Sequence, residues 1–441
     1  MLNDTTPDIA AQPLQILVAA KLYAPEEIAG PVAVVLEGAT IRDIWRRTDA
    51  ASARRRLAEQ MPGSVVEVID LGPWCLAPGF IDLHIHGYCG HDVTTGSQED
   101  IEAIARELPR TGVTSFFPTI ATVGRSETVE QVLRVVGAAE NQVHTTAAEI
   151  LGLRLEGPFI SRAKKGAQFE PGIRPPDAAE MEELAAAGRG RVRIVDYAPE
   201  EDEEARFLAT LVQLGILACI GHTDATYEQA IGAINGGARH STHIFNAMSA
   251  LDHRAPGVTG ALLTDRRATV EVIADGIHVH PAVIRLVLAA RGSRDVALVT
   301  DAVAPAGLPE GDYNFVGRKI SVCCGAVRMT NGSLAGSILT LDQAVRNIMT
   351  FTGVGWSEAI GMATHVPARI AGVALRKGSI APGADADLVA LDNLGFVQRT
   401  WVRGLPAYQR APDSDKETDA DDAAILRNRM PEQKQCPGTL A

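Results

Sequence analysis

The residues whose type and spacing could do chemistry begin with Asp82-Leu83-His84-Ile85-His86, directly after Pro78-Gly79-Phe80. On a β-strand, positions i and i+2 share a face. His84 and His86 would then point the same way and could grip one divalent metal ion. Two half-buried histidines with ordinary hydrogen-bond partners would read the same. Glu156, His222, His243 and Asp301 each end a later apolar run. Two histidines and a carboxylate are a sufficient set for a catalytic metal, with a position left for water. Singly, such residues are commonplace. Together they are not: the chain has 11 histidines, and four of them fall at three strand ends. Asp301 closes Leu298-Val299-Thr300. A carboxylate there is costly to bury unless it is paired or metal-bound. That suits a general base, which takes a proton from an activated water and returns it to a leaving amine; the alternative is a helix N-cap.

Around these lie candidate substrate contacts. Gly157-Pro158 follows Glu156, and Lys164-Lys165-Gly166-Ala167 lies on the next loop. Phe245-Asn246-Ala247-Met248 follows His243, and His253-Arg254-Ala255-Pro256-Gly257 and Asp275-Gly276-Ile277-His278 come later. Arg254 and His278 are the donors expected for a phosphate, because a guanidinium binds it bidentately. A surface ion pair explains Arg254 equally well on spacing alone, and Lys164 and Lys165 read as a solvated loop.

These residues need a scaffold. Between Pro78 and Leu375, apolar strand-like runs alternate with amphipathic helices, which implies a parallel sheet. Eight candidate strands are Gly79-His86, Thr114-Thr119, Ile150-Glu156, Val192-Ala198, Leu217-His222, His240-His243, Thr269-Asp275 and Val296-Asp301. Eight βα repeats close into a (β/α)₈ barrel, with the site at the C-terminal strand ends. Ser126 is expected to cap a helix with the stripe Val129, Val132, Leu133 and Val136. Another helix, carrying Leu208, Leu211 and Val212, should stop at Gly215. Outside the barrel, Ile16-Val18, Val32-Leu36, Val65-Ile69, Asp387-Leu391 and Phe396-Val402 read as short strands. Thr48 to Gln60 reads as a helical insertion or a mobile loop. The expected division is 14–77 with 376–408 as a small β domain, 78–375 as the barrel, and 411–441 as an acidic, disordered tail or a loosely docked helix near Ala423-Met430.

Hydrophobic residues make up 46% of the 441 and charged residues 22%, the balance of a globular protein. The net charge of −13 argues against a nucleic-acid or anionic-membrane surface. A small phosphorylated substrate needs only local donors and stays open. Cys75, Cys89, Cys219, Cys323, Cys324 and Cys436 contain no CxxC pair and form no disulfide framework, so a cytoplasmic setting is expected. Met1 to Pro13 lacks the basic start and apolar run of a signal peptide. No stretch of about 18 uncharged apolar residues suggests a membrane span.

As an ordered set, these strings resemble the N-acetylglucosamine-6-phosphate deacetylases of the amidohydrolase superfamily. They run from Ala77-Pro78-Gly79-Phe80-Ile81-Asp82-Leu83-His84-Ile85-His86-Gly87 through Gly112-Val113-Thr114 to Thr119, Leu155-Glu156-Gly157-Pro158-Phe159, Gly221-His222-Thr223-Asp224 and Thr242-His243-Ile244-Phe245-Asn246-Ala247-Met248. Ala274 to His278, Val299-Thr300-Asp301-Ala302, Leu334-Ala335-Gly336-Ser337 and Gly378 to Leu388 complete them. The match spans about Leu14 to Tyr408.

The resemblance implies a β-sandwich beside the barrel, built from both chain ends. It implies metal held by Glu156, His222 and His243, with Asp301 as catalytic acid/base. With His84 and His86 present, it implies capacity for one or two ions bridged by Glu156. Zn²⁺ is the first expectation, with Fe²⁺, Mn²⁺ or Co²⁺ as alternatives. Substrate contacts would come from Ala167, Gln168, Asn246, Ala247, Arg254, Asp275, His278, Leu334, Ala335 and Gly336. A homodimer would carry Arg254 into the neighbouring active site. Relatives often have His where this chain has Gln168 and Asp252. Cys89 is expected to be buried rather than a ligand. The fourth strand ends Ala198-Pro199-Glu200, without the lysine that bridges metals in dihydroorotase-like enzymes. The implied reaction is deacetylation of N-acetylglucosamine 6-phosphate. Alternatives are N-acetylgalactosamine 6-phosphate, another N-acyl amine, or a non-catalytic metabolite sensor.

Overall fold

The computed structural model describes residues 14–60, 66–142 and 145–411. Eight strands form the parallel barrel: Phe80–Ile85, Val113–Ala121, Leu153–Glu156, Val192–Tyr197, Leu217–Ile220, His240–Ser241, Thr269–Ile273 and Val296–Val299. The ring closes where Ile85 bridges Ala302 and the His86 amide donates to the Ala302 carbonyl at 2.8 Å. The outer helices bury their apolar stripes against these strands in one continuous core.

Several elements stop short of their expected ends, and the reasons bear on the site. The fifth and eighth strands end at Ile220 and Val299 because His222 and Asp301 both have φ of 48°, where a β-ladder cannot continue. The sixth has only His240 and Ser241; the His243 amide donates to the Glu271 carboxylate at 3.2 Å instead of to a backbone carbonyl of the neighbouring strand. The third is interrupted between Glu149–Ile150 and Leu153–Glu156. There Gly152 lets Arg193 approach so closely that a Cβ would lie 2.5 Å from its Cγ.

Two helix expectations need correction. Gly124, not Ser126, is the N-cap of Arg125–Glu140, and Leu133 is exposed while Thr128, Gln131, Val132, Val135 and Val136 are buried. Val212 likewise faces outward, although Gly215 does follow Arg206–Gln213 in the left-handed region at φ 67°.

Both chain ends build one eight-stranded sheet. Leu14–Tyr23 lies at its centre and pairs with Glu27–Glu37, which pairs with Thr40–Arg46. On its other side the sheet forks: Val66–Asp70 pairs with the start of the central strand and Cys75–Pro78 with its end. Leu388–Leu391, Val397–Val402 and Leu405–Gln409 extend the second branch. Alternate residues of the central strand enter different cores. Leu17 and Ala19 pack with Leu388 and Trp401, and Ile16 and Val18 with Ala53 and Leu57 of the helix Ala50–Gln60. Thr48 to Gln60 thus carries a helical insertion. The strand Cys75–Pro78 runs through Gly79 straight into the first barrel strand. At this junction Lys377 is buried among Glu149 (2.8 Å), Asp385 (2.9 Å) and Asp387.

A three-stranded antiparallel sheet, Gly311–Phe315, Arg318–Cys323 and Ala326–Met329, was not anticipated from the sequence. No helix among the described residues is long and apolar enough to cross a membrane. The acidic tail beyond residue 411 and its expected helix lie outside the described residues.

Candidate metal centre

The first barrel strand projects His84 and His86 to the same side, as the i, i+2 spacing requires. Their Nε2 atoms are 3.2 Å apart. Glu156, ending the third strand, stands between them and two further histidines. Its Oε1 is 3.3 Å from His84 Nε2, 3.1 Å from His222 Nε2 and 3.0 Å from His243 Nε2; its Oε2 is 3.0 Å from His86 Nε2. Asp301 Oδ1 lies 3.4 Å from His84 Nε2 and 3.3 Å from His86 Nε2. All six side chains are buried. Two sets of candidate ligands result, His84, His86, Glu156 and Asp301, and Glu156, His222 and His243, and they share Glu156. No helix follows Asp301, which rules out its reading as an N-cap.

The far ring nitrogens show how the imidazoles are held. His86 Nδ1 is 3.0 Å from the Thr119 carbonyl and His222 Nδ1 is 2.9 Å from the Lys164 carbonyl. Each contact fixes the tautomer in which Nδ1 carries the proton and Nε2 offers a lone pair. His84 Nδ1 lies 3.3 Å from Glu271 Oε2. Beneath the cluster, Glu271 also takes His240 Nε2 at 2.8 Å and the Arg154 guanidinium, which in turn grips Asp196 at 3.0 Å. Arg154, Asp196, Glu271 and His240 are fully buried.

Electrostatics and donor chemistry fit a cation. Burial alone would lift the Glu156 carboxyl, but the imidazoles of His84, His86 and His222 outweigh it and hold Glu156 well below the usual carboxylate range. Burial likewise works against protonation of His86, yet Glu156 and Asp301 push it up to about 9. Without a metal, protons must neutralise the two carboxylates. A divalent ion performs the same neutralisation, taking the lone pairs that now converge at 3.0–3.4 Å. Asp82 sits behind this layer, its carboxyl pushed up to about 6 by burial and tied to Thr300 Oγ1 at 2.6 Å.

The remaining expected residues line the surrounding loops. The Gln168 amide donates to Glu156 Oε2, and its carbonyl oxygen accepts the Thr122 amide at 2.7 Å. Ala167 precedes it, and its carbonyl accepts from Arg318. Asn246 folds back onto the His243 carbonyl at 3.2 Å, and Ala247 adopts φ 50° while accepting the Thr223 amide at 3.0 Å. Asp275 accepts both the His278 amide, at 2.8 Å, and its Nδ1, at 2.6 Å. Leu334 bridges Arg328, the Ala335 amide donates to Val327, and Gly336 packs so tightly that a Cβ would lie 2.8 Å from the Asp301 carbonyl. Arg254 is exposed, and its guanidinium makes no hydrogen bond or ion pair among the described residues. Cys89 is half-buried beside Tyr88 and outside the cluster.

Sequence reasoning missed Arg154, Asp196 and Glu271. A signal was present: Leu153-Arg154-Leu155 and Val270-Glu271-Val272 each carry one charge in an apolar strand. Such strands are covered on both faces, so those charges must pair with each other inside the barrel.

A (β/α)₈ barrel with a carboxylate-centred histidine cluster that could hold a metal ion, at the C-terminal ends of its strands, defines the class: a barrel of the metal-dependent hydrolase kind. The signature of the Amidohydrolase family matches residues 75–413, and the chain belongs to that family. It is 39% identical over 339 residues to an N-acetylgalactosamine-6-phosphate deacetylase of Escherichia coli O157:H7, covering 77% of this chain and 89% of that one. It is 37% identical over 335 residues to an N-acetylglucosamine-6-phosphate deacetylase of Bacillus subtilis (strain 168), covering 76% and 84%. Among solved structures, a mutant N-acetyl-D-glucosamine-6-phosphate deacetylase from Mycobacterium smegmatis, in complex with N-acetyl-D-glucosamine-6-phosphate, superimposes with a TM-score of 0.82. It has 30% sequence identity, and the match covers 90% of this chain and all of that one.

Proposed function

We propose that this chain hydrolyses the acetamide of N-acetylglucosamine 6-phosphate, giving acetate and glucosamine 6-phosphate in amino-sugar catabolism. The observation that carries the reading is Glu156 standing between four histidine Nε2 atoms, with Asp301 beside two of them. Glu156, His222 and His243 would hold one divalent ion, and His84 and His86 with Glu156 a second. Zn²⁺ suits this set best; Fe²⁺, Mn²⁺ and Co²⁺ share its ligand preferences. A bound ion supplies a Lewis acid that acidifies water and polarises the acetyl oxygen.

The chain's own residues do the rest. Asp301 takes the proton from the attacking water at its carboxylate. It passes that proton to the sugar nitrogen as the C–N bond breaks, so the nitrogen leaves as an amine. The Asp275 carboxylate orients His278, whose free Nε2 can meet the substrate. Gln168, Asn246, Ala247 and the Leu334–Gly336 loop shape the space around the sugar, and Arg254 is the phosphate donor. Its exposure and lack of a partner support a homodimer in which it reaches the neighbouring site. We further take 14–77 with 376–408 as one domain and 78–375 as the other, since the strands of the forked sheet and those of the barrel pair only among themselves. We also propose a cytoplasmic setting, on the absence of any CxxC pair in the sequence.

The 39% identity to the E. coli enzyme favours a second reading, N-acetylgalactosamine 6-phosphate as substrate. Acetate release from both sugar phosphates and from unphosphorylated N-acetylglucosamine tests the choice. Turnover of N-acetylglucosamine 6-phosphate well above the other two is the expected result. Preference for the galactosamine epimer would replace the substrate, and equal turnover of the unphosphorylated sugar would remove the phosphate role of Arg254.

A further inference from the structure

The three-stranded sheet of residues 311–329 turns its first hairpin toward the metal centre. Phe315 and Arg318 pair across a two-residue turn, Val316-Gly317. Both turn residues have positive φ, 47° and 71°, as in a type I′ turn. Valine is β-branched, and such a residue in the left-handed region is strained. Strain of this kind persists only where the surroundings hold it. Two sets of contacts hold this tip. Arg318 donates to the carbonyls of Ala167 and, at 3.3 Å, of Gln168, the residue bonded to Glu156. Phe315 is buried, and its ring meets that of His86 in a T-shaped contact with centroids 5.9 Å apart. It packs in one apolar group with Ala121, Val303 and Ala335. Ala121 pairs with Glu156 across the second and third barrel strands, Val303 lies two residues beyond Asp301, and Ala335 precedes the Gly336 that packs against the Asp301 carbonyl. The hairpin thus gives the metal centre an apolar flank beside His86 and Asp301. Asn246, Arg254 and His278 come from elsewhere, the loops after the sixth and seventh strands.

We propose that Phe315 is the wall against which the substrate's acyl group packs, and that it restricts the hydrolysis to N-acetyl and N-formyl groups. The inference rests on the reading of the site as an amino-sugar-phosphate deacetylase and adds what that reading leaves open, the length of the acyl chain. An amide carbonyl carbon carries its nitrogen and its acyl substituent in divergent directions. In the proposed hydrolysis that carbon lies beside the water activated at Asp301, and the nitrogen lies within reach of the same carboxylate. The sugar and its phosphate extend from the nitrogen. Their oxygens need hydrogen-bond partners, which Asn246, His278 and Arg254 offer. The acyl substituent then points the other way, to the flank of Phe315. There an apolar group gains by leaving water, whereas a sugar hydroxyl would lose its hydration. Ile320 and Val322 of the sheet are buried in the same apolar group as Phe315. A ring packed in this way does not yield to an added methylene without strain.

Metal-loaded full-length protein is given the N-formyl, N-acetyl, N-propionyl and N-butyryl derivatives of glucosamine 6-phosphate and, in parallel, of galactosamine 6-phosphate, and the freed amine is measured. One methylene more or less in an apolar site changes kcat/KM by about 10–200-fold. The intact protein should therefore lose at least about tenfold from acetyl to propionyl, and more to butyryl. Phe315→Ala should raise the propionyl-to-acetyl ratio at least about tenfold. Phe315→Leu trims the wall but keeps the apolar filling, so it should raise the ratio by less, and it carries the test if the alanine variant does not fold. The ratio is internal to each protein, so a general loss of activity or of metal cancels. A ratio unchanged in both variants, or butyryl cleaved by the intact protein as fast as acetyl, would overturn the role of Phe315 and leave the deacetylase reading standing. No amine from any derivative would overturn both.

Discussion

The floor of the barrel and the loops above it are built on opposite plans. On the floor the charged side chains are buried and answered: Glu156 by imidazoles, His84 by Glu271, Glu271 by Arg154 and His240, and Arg154 by Asp196. Around the rim, Arg254 is exposed and His278 is tied only through Nδ1. A buried charge network tolerates almost no displacement, because an unpaired member carries its full desolvation cost. That rigidity suits groups that must hold a metal and a proton in fixed places. The rim leaves its donors available for a ligand. The proposed reading puts chemistry at strand ends and recognition in loops, the usual division in barrels of this kind.

Perturbing the floor should change turnover, and perturbing the rim should change affinity. The largest effect is expected for Asp301→Asn, which keeps the shape but cannot take the water's proton. Turnover should drop by at least ~10²-fold, with metal content by elemental analysis little changed. Near-normal turnover would remove Asp301 from the proton path. Glu271→Gln tests the layer below. Losing the charged partner of His84 Nδ1 should weaken metal affinity by ~10–100-fold, read from a chelator titration. Unchanged affinity would make Glu271 a structural ion partner only. On the rim, Arg254→Ala should raise KM for the phosphorylated sugar by about tenfold, the worth of one charge-assisted hydrogen bond, and leave kcat nearly intact. A fall in kcat with KM unchanged would blur the division between floor and rim.

The smallest effect concerns neither region. Glu149, held by Arg376 and Lys377 where the sheet meets the barrel, has its carboxyl lowered from the ordinary 4.5 to about 2; burial works against this, and the two cations outweigh it. A depressed carboxyl stabilises the fold above its unfolded value and loses that contribution as pH falls through its folded value. Glu149→Gln should therefore cost roughly 1–3 kcal/mol at neutral pH. In denaturant titrations that deficit should shrink as pH falls from 4.5 towards 2. A deficit independent of pH would mean that the pair contributes through packing alone.

The candidate metal-holding residues of the floor were legible in the sequence because they sit at strand ends, where the two-residue strand period and the apolar-to-polar change are both visible. His84 and His86 announce themselves by spacing, and Glu156, His222, His243 and Asp301 by position. Arg154 and Glu271 were overlooked because a charge inside a strand was weighed as an isolated residue, while its meaning lies in partners more than 40 positions away. The sheet at residues 311–329 escaped because Gly311–Phe315 is largely exposed and polar, so no clean alternation marks it. Helix faces were misjudged at Leu133 and Val212 because an apolar residue at the margin of a stripe carries no signal of which way the helix is turned. Arg254 shows the reverse limit: its type suggested a role, and the described residues give its guanidinium no partner.

The most direct test of the account is a zinc titration of metal-stripped protein, with acetate release from N-acetylglucosamine 6-phosphate followed at each step. Turnover should be negligible without metal and should rise and saturate as ions fill the Glu156 cluster, with no more than two bound per chain. Turnover indifferent to stripping and readdition, or metal that binds equally well after Glu156→Gln, would contradict the claim that this cluster holds the ion on which the chemistry depends.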